Sequence, residues 1–207
     1  IDYPNIYISS ENIEYKVNLN SNYSTLFKKD TIYNLFGLSV FENNIVYTYI
    51  GTGPTSINKN FSYSKDYGET WNKTELIGVD NNFYIRDMFL LNNDTLLLTE
   101  RNSGVYISIN FQKEVILLKT DDEEINNLLS NVSKIFRRNN KIYFNGEGVI
   151  LESDVNLRNW ESYSNNIPPD SRILSFSKSN KIIYTVSVSG FNIMPSTVDF
   201  SVSKDEG

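Results

Sequence analysis

The sequence predicts an all-β chain, a β-propeller built of four-stranded antiparallel blades. Three observations carry that reading. Short apolar runs rich in Ile, Val, Tyr and Phe recur along the chain, a composition that suits a pleated, half-buried strand. The runs are separated by Asn, Gly and Asp; 29 of the 207 residues are Asn, and most fall where turns belong. A serine-led motif returns at Ser9, Ser64, Ser108, Ser153 and Ser203, at intervals of 55, 44, 45 and 50 residues. Periods of about 40–50 residues, each with four short strands, describe propeller blades.

The elements follow in order. Residues 5–9 and 13–19 read as a third and a fourth strand, so the chain is expected to open in mid-blade, with 20–30 as a connection. A full set follows: 34–41, a turn at Asn43-Asn44, 45–50, a long connection over 51–60, 61–64, and 70–77. The next set is 83–91, 95–100, 105–109 and 114–119, then 132–138, 141–145, 149–152 and 160–163. The last is 172–178, 181–188 and 198–203. The blade units are therefore 1–20, 31–78, 83–119, 132–164 and 172–207, about four to five blades. Both ends supply a third strand, so the chain reads as a segment of a six- or seven-bladed ring, completed by further blades or another chain. A five-bladed ring with an irregular seam is the alternative. Between the third and fourth units, 121–130 reads as a connecting loop with one helical turn, because Ile125, Leu128 and Leu129 are spaced three and four apart after four acidic residues. A calcium site in that acidic run lacks the alternating ligands and Gly of a dedicated loop.

The motif is complete once, as Ser64-Lys65-Asp66-Tyr67-Gly68-Glu69-Thr70-Trp71. An Asp opening a tight turn accepts backbone N–H groups ahead of it. Gly68 two residues later supplies φ > 0. Trp71 opens the next strand with a large flat surface. A second copy, Ser153-Asp154 leading to Trp160, has altered spacing. The stretch resembles the Asp-box of the sialidase-like, or BNR-repeat, β-propellers. The resemblance implies that Ser64, Asp66, Gly68, Thr70, Trp71, Ser153, Asp154 and Trp160 are structural and lie away from the ligand face. Sialidases also use three arginines, a Tyr/Glu nucleophile pair and an Asp acid. This chain has only six arginines, no F/Y-R-I-P run and no assignable Tyr/Glu pair, so that activity is not carried over.

Composition removes other classes. The chain has no Cys and no His, which excludes disulfides, thiol catalysis, a Ser-His-Asp triad and the usual zinc ligands. No metal and no cofactor is expected. Net charge is −6 with no basic cluster, which argues against nucleic acid. No apolar run approaches the ~18 residues of a membrane span. The missing initiator Met and signal peptide read as a processed or excised segment. Secreted, otherwise extracytoplasmic or virion-associated locations are favoured.

The longer connections gather at the mouth of the ring, the usual place for binding on a rigid scaffold. Aligned on the Asn turns, Phe36, Arg86, Val132 and Arg172 take equivalent innermost positions, with Asp87 and Lys134 close by. Arg86, Asp87, Lys134 and Arg172 are the candidate binding residues, with Phe191 and Met194 as loop anchors. The expected function is a non-catalytic binding or assembly module for a glycan or protein partner. The alternative is a glycoside hydrolase whose remaining blades lie outside this chain.

Overall fold

The computed structural model describes residues 5–10, 13–18, 24–27, 35–42, 44–49, 59–66, 70–100, 103–138, 140–164, 167, 171–179, 182–189 and 197–203. They form antiparallel sheets and one short helix. The first sheet is β1 (Asn5–Ser10), β2 (Ile13–Asn18) and β3 (Ser24–Phe27). The second is β4 (Leu35–Phe41), β5 (Asn44–Tyr49), β6 (Asn60–Ser64) and β7 (Asn72–Glu75). The third is β8 (Ile85–Leu90), β9 (Thr95–Glu100), β10 (Gly104–Ile109) and β11 (Ile116–Leu117). Helix α1 (Glu123–Leu129) precedes the fourth sheet, β12 (Val132–Arg138), β13 (Lys141–Gly146), β14 (Ile150–Asp154) and β15 (Trp160–Ser162). The fifth is β16 (Arg172–Ser179), β17 (Ile182–Ser189) and β18 (Thr197–Ser203). Within each sheet, spatial order follows chain order. The chain divides into two compact units, 1–96 with 108–115, and 97–107 with 116–207; the third sheet contributes strands to both.

The register corrects the expected phase of the first unit. β1 and β2 meet at Ser10↔Ile13, across two residues. The first hairpins of three later sheets have the same span, at Phe41↔Asn44, Arg138↔Lys141 and Ser179↔Ile182. β2 then pairs with β3, Glu14 opposite Phe27, just as Ile45 lies opposite Ser64. The chain therefore opens on a first strand, not a third, and part of the expected 20–30 connection is β3. Ser9 belongs to the tight first hairpin, and Phe27 stands at the register level of Ser64. Ser-Thr-Leu-Phe carries too little alternation over four residues to declare a strand from sequence. Ser153 and Ser203 share the register level of Ser64, opposite Ile142 and Ile183.

The turn after β6 is stapled as its residues suggest. Ser64 Oγ donates to Asp66 Oδ1 at 2.7 Å, and Asp66 Oδ1 accepts the Thr70 N–H at 2.9 Å. Thr70 Oγ1 donates to Asp66 Oδ2 at 2.5 Å. Gly68 lies outside the described residues; Trp71 is half-buried. The fourth sheet reaches a similar staple by another route. Asp154 Oδ1 accepts the N–H four residues on, at Arg158 (2.9 Å), and Asn159 donates to Oδ2 at 2.6 Å. Leu157, at φ 58°, takes the left-handed position a Gly would fill. Ser153 directly precedes Asp154, however, and its buried hydroxyl finds no partner among the described residues. Trp160 is fixed by its indole N–H to the Leu157 carbonyl (3.0 Å) and lies 5.0 Å from the Phe144 ring. The third copy, with Asn110 for Asp, is held by Ser108, whose Oγ donates to the Gln112 carbonyl at 2.9 Å, and by packing. Asn110 and Phe111 have φ of 54° and 57°, and the Phe111 ring stacks on Tyr63 at 4.4 Å.

The Thr70 and Ser64 hydrogen bonds hold the Asp66 carboxyl down at about 2, below its ordinary 3.8. A carboxylate depressed in the folded state contributes stability above its unfolded value and loses it as pH falls through the folded one. We expect Asp66→Asn to flatten the fall in urea midpoint between pH about 4 and about 2. Parallel wild-type and variant curves across that window would show that the staple does not contribute.

Helix α1 forms because Asp122 caps it, its carboxylate accepting the Glu124 and Ile125 N–H groups at 2.9 and 3.2 Å. Ile125 and Leu129 are buried beneath it. Elsewhere the core lies on the strands, where Phe61, Ile85, Ile142, Phe144 and Leu151 are fully enclosed, and β9 is enclosed on both faces at Leu96, Leu97 and Leu98.

Candidate functional site

In an antiparallel hairpin the first strand begins where the second ends. In the second unit this end is drawn together by two bonds of one design. Thr99, fifth in β9, donates its hydroxyl to the Ser133 carbonyl in β12 at 3.3 Å. Asn145, fifth in β13, donates its amide to the Ile173 carbonyl in β16 at 3.3 Å. Ser133 is the bulge residue between Val132 and Lys134, and Ile173 directly precedes the bulge residue between Ile173 and Ser175. A bulge frees a carbonyl from the ladder, and a buried donor from the neighbouring sheet satisfies it. Backbone bonds tighten the same end: Glu147 N–H to the Asn131 carbonyl (3.1 Å) and Gly148 N–H to the Ser171 carbonyl (2.7 Å).

These links bring Glu100, Lys134 and Arg172 to successive strand ends. Glu100 is buried, and Ser103 Oγ donates to its Oε2 at 2.6 Å. Tyr106 Oη lies 2.9 Å from Ser103 Oγ. Because the serine proton points at the carboxylate, the tyrosine O–H donates to the serine oxygen. The result is a directed chain from Tyr106 through Ser103 to Glu100, with Ser103 exposed and Tyr106 half-exposed. Lys134, opposite Asn145, and Arg172, whose backbone pairs with that of Glu147, are both exposed. Sequence reasoning missed Glu100, Ser103 and Tyr106, since nothing in Glu-x-x-Ser-x-x-Tyr distinguishes it until the hairpin folds it together.

The four innermost positions do not share a level. The bulge residue between Leu35 and Gly37 is Phe36, five before the hairpin residue Phe41. The same count from Arg138 and Ser179 gives Ser133 and Leu174, not Val132 and Arg172. Alignment on Asn turns fails because these equal two-residue turns carry Asn at different places, second after Phe41 (Asn43) but first after Arg138 (Asn139) and Ser179 (Asn180). Arg86 and Asp87 sit in β8 where its burial pattern slips phase, between buried Ile85 and Met88. Both are half-buried, and neither lacks a partner. Phe191 and Met194 lie outside the described residues.

A second polar cluster lies on the fourth sheet, where Phe136, Tyr143, Glu152 and Glu161 form one cross-strand row. The Tyr163 hydroxyl meets Glu152 at 3.2 Å and also Glu161, and Lys141 pairs with Glu152 at 3.1 Å. The Tyr163 hydroxyl is thus shared between two carboxylates that lie opposite one another on neighbouring strands. Burial, with Glu152 beside it, pushes the Tyr143 hydroxyl up to about 12. Burial and the Glu161 hydrogen bond push Tyr163 higher still. Phenols raised in this way stay protonated and act as donors to the carboxylates. Among the described residues no group of three or more acidic side chains is placed to hold a metal ion, and no helix is long and apolar enough to cross a membrane.

No protein-family model matches the chain, and no curated protein sequence does. Its likeness to solved structures is one of fold. A GH74 xyloglucanase from Xanthomonas campestris matches 96% of this chain with a TM-score of 0.62 at 11% identity. The extracellular domain of a one-component system from B. thetaiotaomicron matches 90%, with a TM-score of 0.59 at 9% identity. A chain of a nidogen/laminin complex matches 89%, with a TM-score of 0.56 at 10% identity. The chain spans 34%, 24% and 89% of those three chains, respectively. The chain is thus a set of antiparallel, mostly four-stranded sheets like those of propeller proteins.

Proposed function

We propose that these sheets are blades of an Asp-box propeller, and that the chain is a non-catalytic binding or assembly module for a glycan or protein partner. The blade units would be 31–78, 83–119, 132–164 and 172–207, with the first reaching Phe27 rather than ending at 20. Further blades or another chain would complete the ring. The partner would meet the end where first strands begin. The observation that carries this reading is the chain of hydroxyls from Tyr106 to Ser103, fixed by buried Glu100. Donors and acceptors held by a buried carboxylate pre-organise a surface for polar ligands. Lys134 and Arg172 add cationic contacts at neighbouring strand ends, and Arg86 and Asp87 serve the corresponding end of the third sheet. Phe191 and Met194 remain proposed loop anchors. An extracytoplasmic, secreted or virion-surface setting suits such a module and agrees with an extracellular domain among its fold neighbours.

The test is a glycan array together with a pull-down, each run with wild-type protein and with Ser103→Ala/Tyr106→Phe. Binding that drops by about tenfold or more in the variant supports the reading. Binding unchanged in the variant, or no specific partner in either assay, sinks it. The competing reading is a glycoside hydrolase, favoured by the xyloglucanase likeness and by the paired carboxylates Glu152 and Glu161. Turnover of a fluorogenic glycoside that is lost on Arg86→Ala would establish it.

A further inference from the structure

We infer that Asn145-Gly146 is a modification site: a deamidation pair that the native fold holds shut and unfolding opens. It is the sole Asn-Gly step in the sequence. Each member is there for a structural reason. A Cβ on Gly146 would lie 1.8 Å from the Asn131 carbonyl oxygen, so no larger residue fits. Asn145 supplies the amide that satisfies the Ile173 carbonyl of the next sheet. The packing of β13 between its neighbours thus forces together the dipeptide whose backbone nitrogen is least hindered.

The chemistry needs only water. The Gly146 backbone nitrogen attacks Asn145 Cγ and forms a C–N bond. The Gly146 N–H proton passes to solvent, solvent returns one to the side-chain nitrogen, and that nitrogen leaves as ammonia. Water then opens the cyclic imide at either carbonyl, leaving an aspartyl residue at position 145 or its isoaspartyl isomer. In the folded protein every part of this is blocked. The Gly146 N–H is tied to the Val149 carbonyl at 3.1 Å. The Asn145 amide is tied to Ile173, and the residue is 1% exposed. The backbone is held extended by pairing with Lys134 and Ile150, which keeps the Gly146 nitrogen from its own neighbour's side chain.

Once formed, the product does not fit the native site. The aspartyl form would set a carboxylate, an acceptor, against the Ile173 carbonyl in a dry position. The isoaspartyl form adds a methylene to the β13 backbone and displaces the register beyond it. Unfolding that lasts long enough is therefore recorded covalently and becomes one-way. The protein itself contains an amide-free variant of this link, since Thr99, at the same place in β9, serves a first-strand carbonyl at the bulge residue Ser133 with a hydroxyl.

The test holds wild-type protein at mildly alkaline pH, native and in urea, and maps the peptide spanning Asn145 by mass over time. Conversion at least about tenfold faster in urea is expected, because reaction of the native chain must wait for local opening. The refoldable fraction of wild type should fall in step with conversion, while Asn145→Thr refolds to a constant level whatever the time in urea. Equal rates in native and unfolded chains, or full refolding of converted protein, would overturn the inference. Should the Thr variant not fold, the wild-type peptide map and refolding yield still decide it.

Discussion

Gly146→Ala is expected to leave little folded protein, with a loss above about 3 kcal/mol in urea unfolding. The added Cβ would sit 1.8 Å from the Asn131 oxygen, 2.8 Å from its carbonyl carbon and 2.9 Å from Val132 Cα. All three are backbone atoms, so no side chain can swing aside. The Asn131 carbonyl also accepts the Glu147 N–H, and the Asn131 N–H is bound to the Leu128 carbonyl at the end of α1. Moving it would break the helix exit and the closure of the fourth sheet together. Gly78→Ala is the matched control. Nothing lies within 4 Å of its Cβ, and only its φ of 71° is unfavourable. That change should cost about 1 kcal/mol. Similar losses for the two variants would mean that close approach does not set the identity of residue 146.

The second large effect is at Phe144, in the middle of β13. Its ring is fully enclosed, opposite Ile135 on one side and Leu151 on the other, and 5.0 Å from Trp160. Phe144→Ala removes that ring from a site bounded by paired strands that can collapse only in part, at a cost of about 3–5 kcal/mol. The urea midpoint should fall while the slope is retained. Emission from Trp160, one of two tryptophans, should move toward that of a hydrated indole before global unfolding. A loss below about 1 kcal/mol would mean the fourth sheet is not packed around this ring.

Much of the architecture was legible in the chain. Strand positions from β4 onward followed from β-branched and aromatic runs bounded by Asn turns, and the Asp66 hydrogen bonds after Ser64 span only a few residues. Asp66 and Thr70 are four apart, so sequence spacing is nearly geometry. The phase of the first unit was not legible: Ser9 matches the motif locally, whereas β1 is placed by its pairing with β2. The innermost positions were misaligned because Asn holds different places in turns of equal span, so a count from it slips by one residue.

The sequence alone determined the strand-forming segments, the turn chemistry and the absence of thiol and imidazole groups. Those properties belong to single residues and to short spans of backbone. Tertiary structure alone decided which serine levels correspond, which carbonyls the bulges release, and which side chains meet as Tyr106, Ser103 and Glu100 or as Tyr163, Glu152 and Glu161. Each of those is a pairing across a hairpin or between sheets, and its partner is chosen by register, which residue spacing along the chain does not encode.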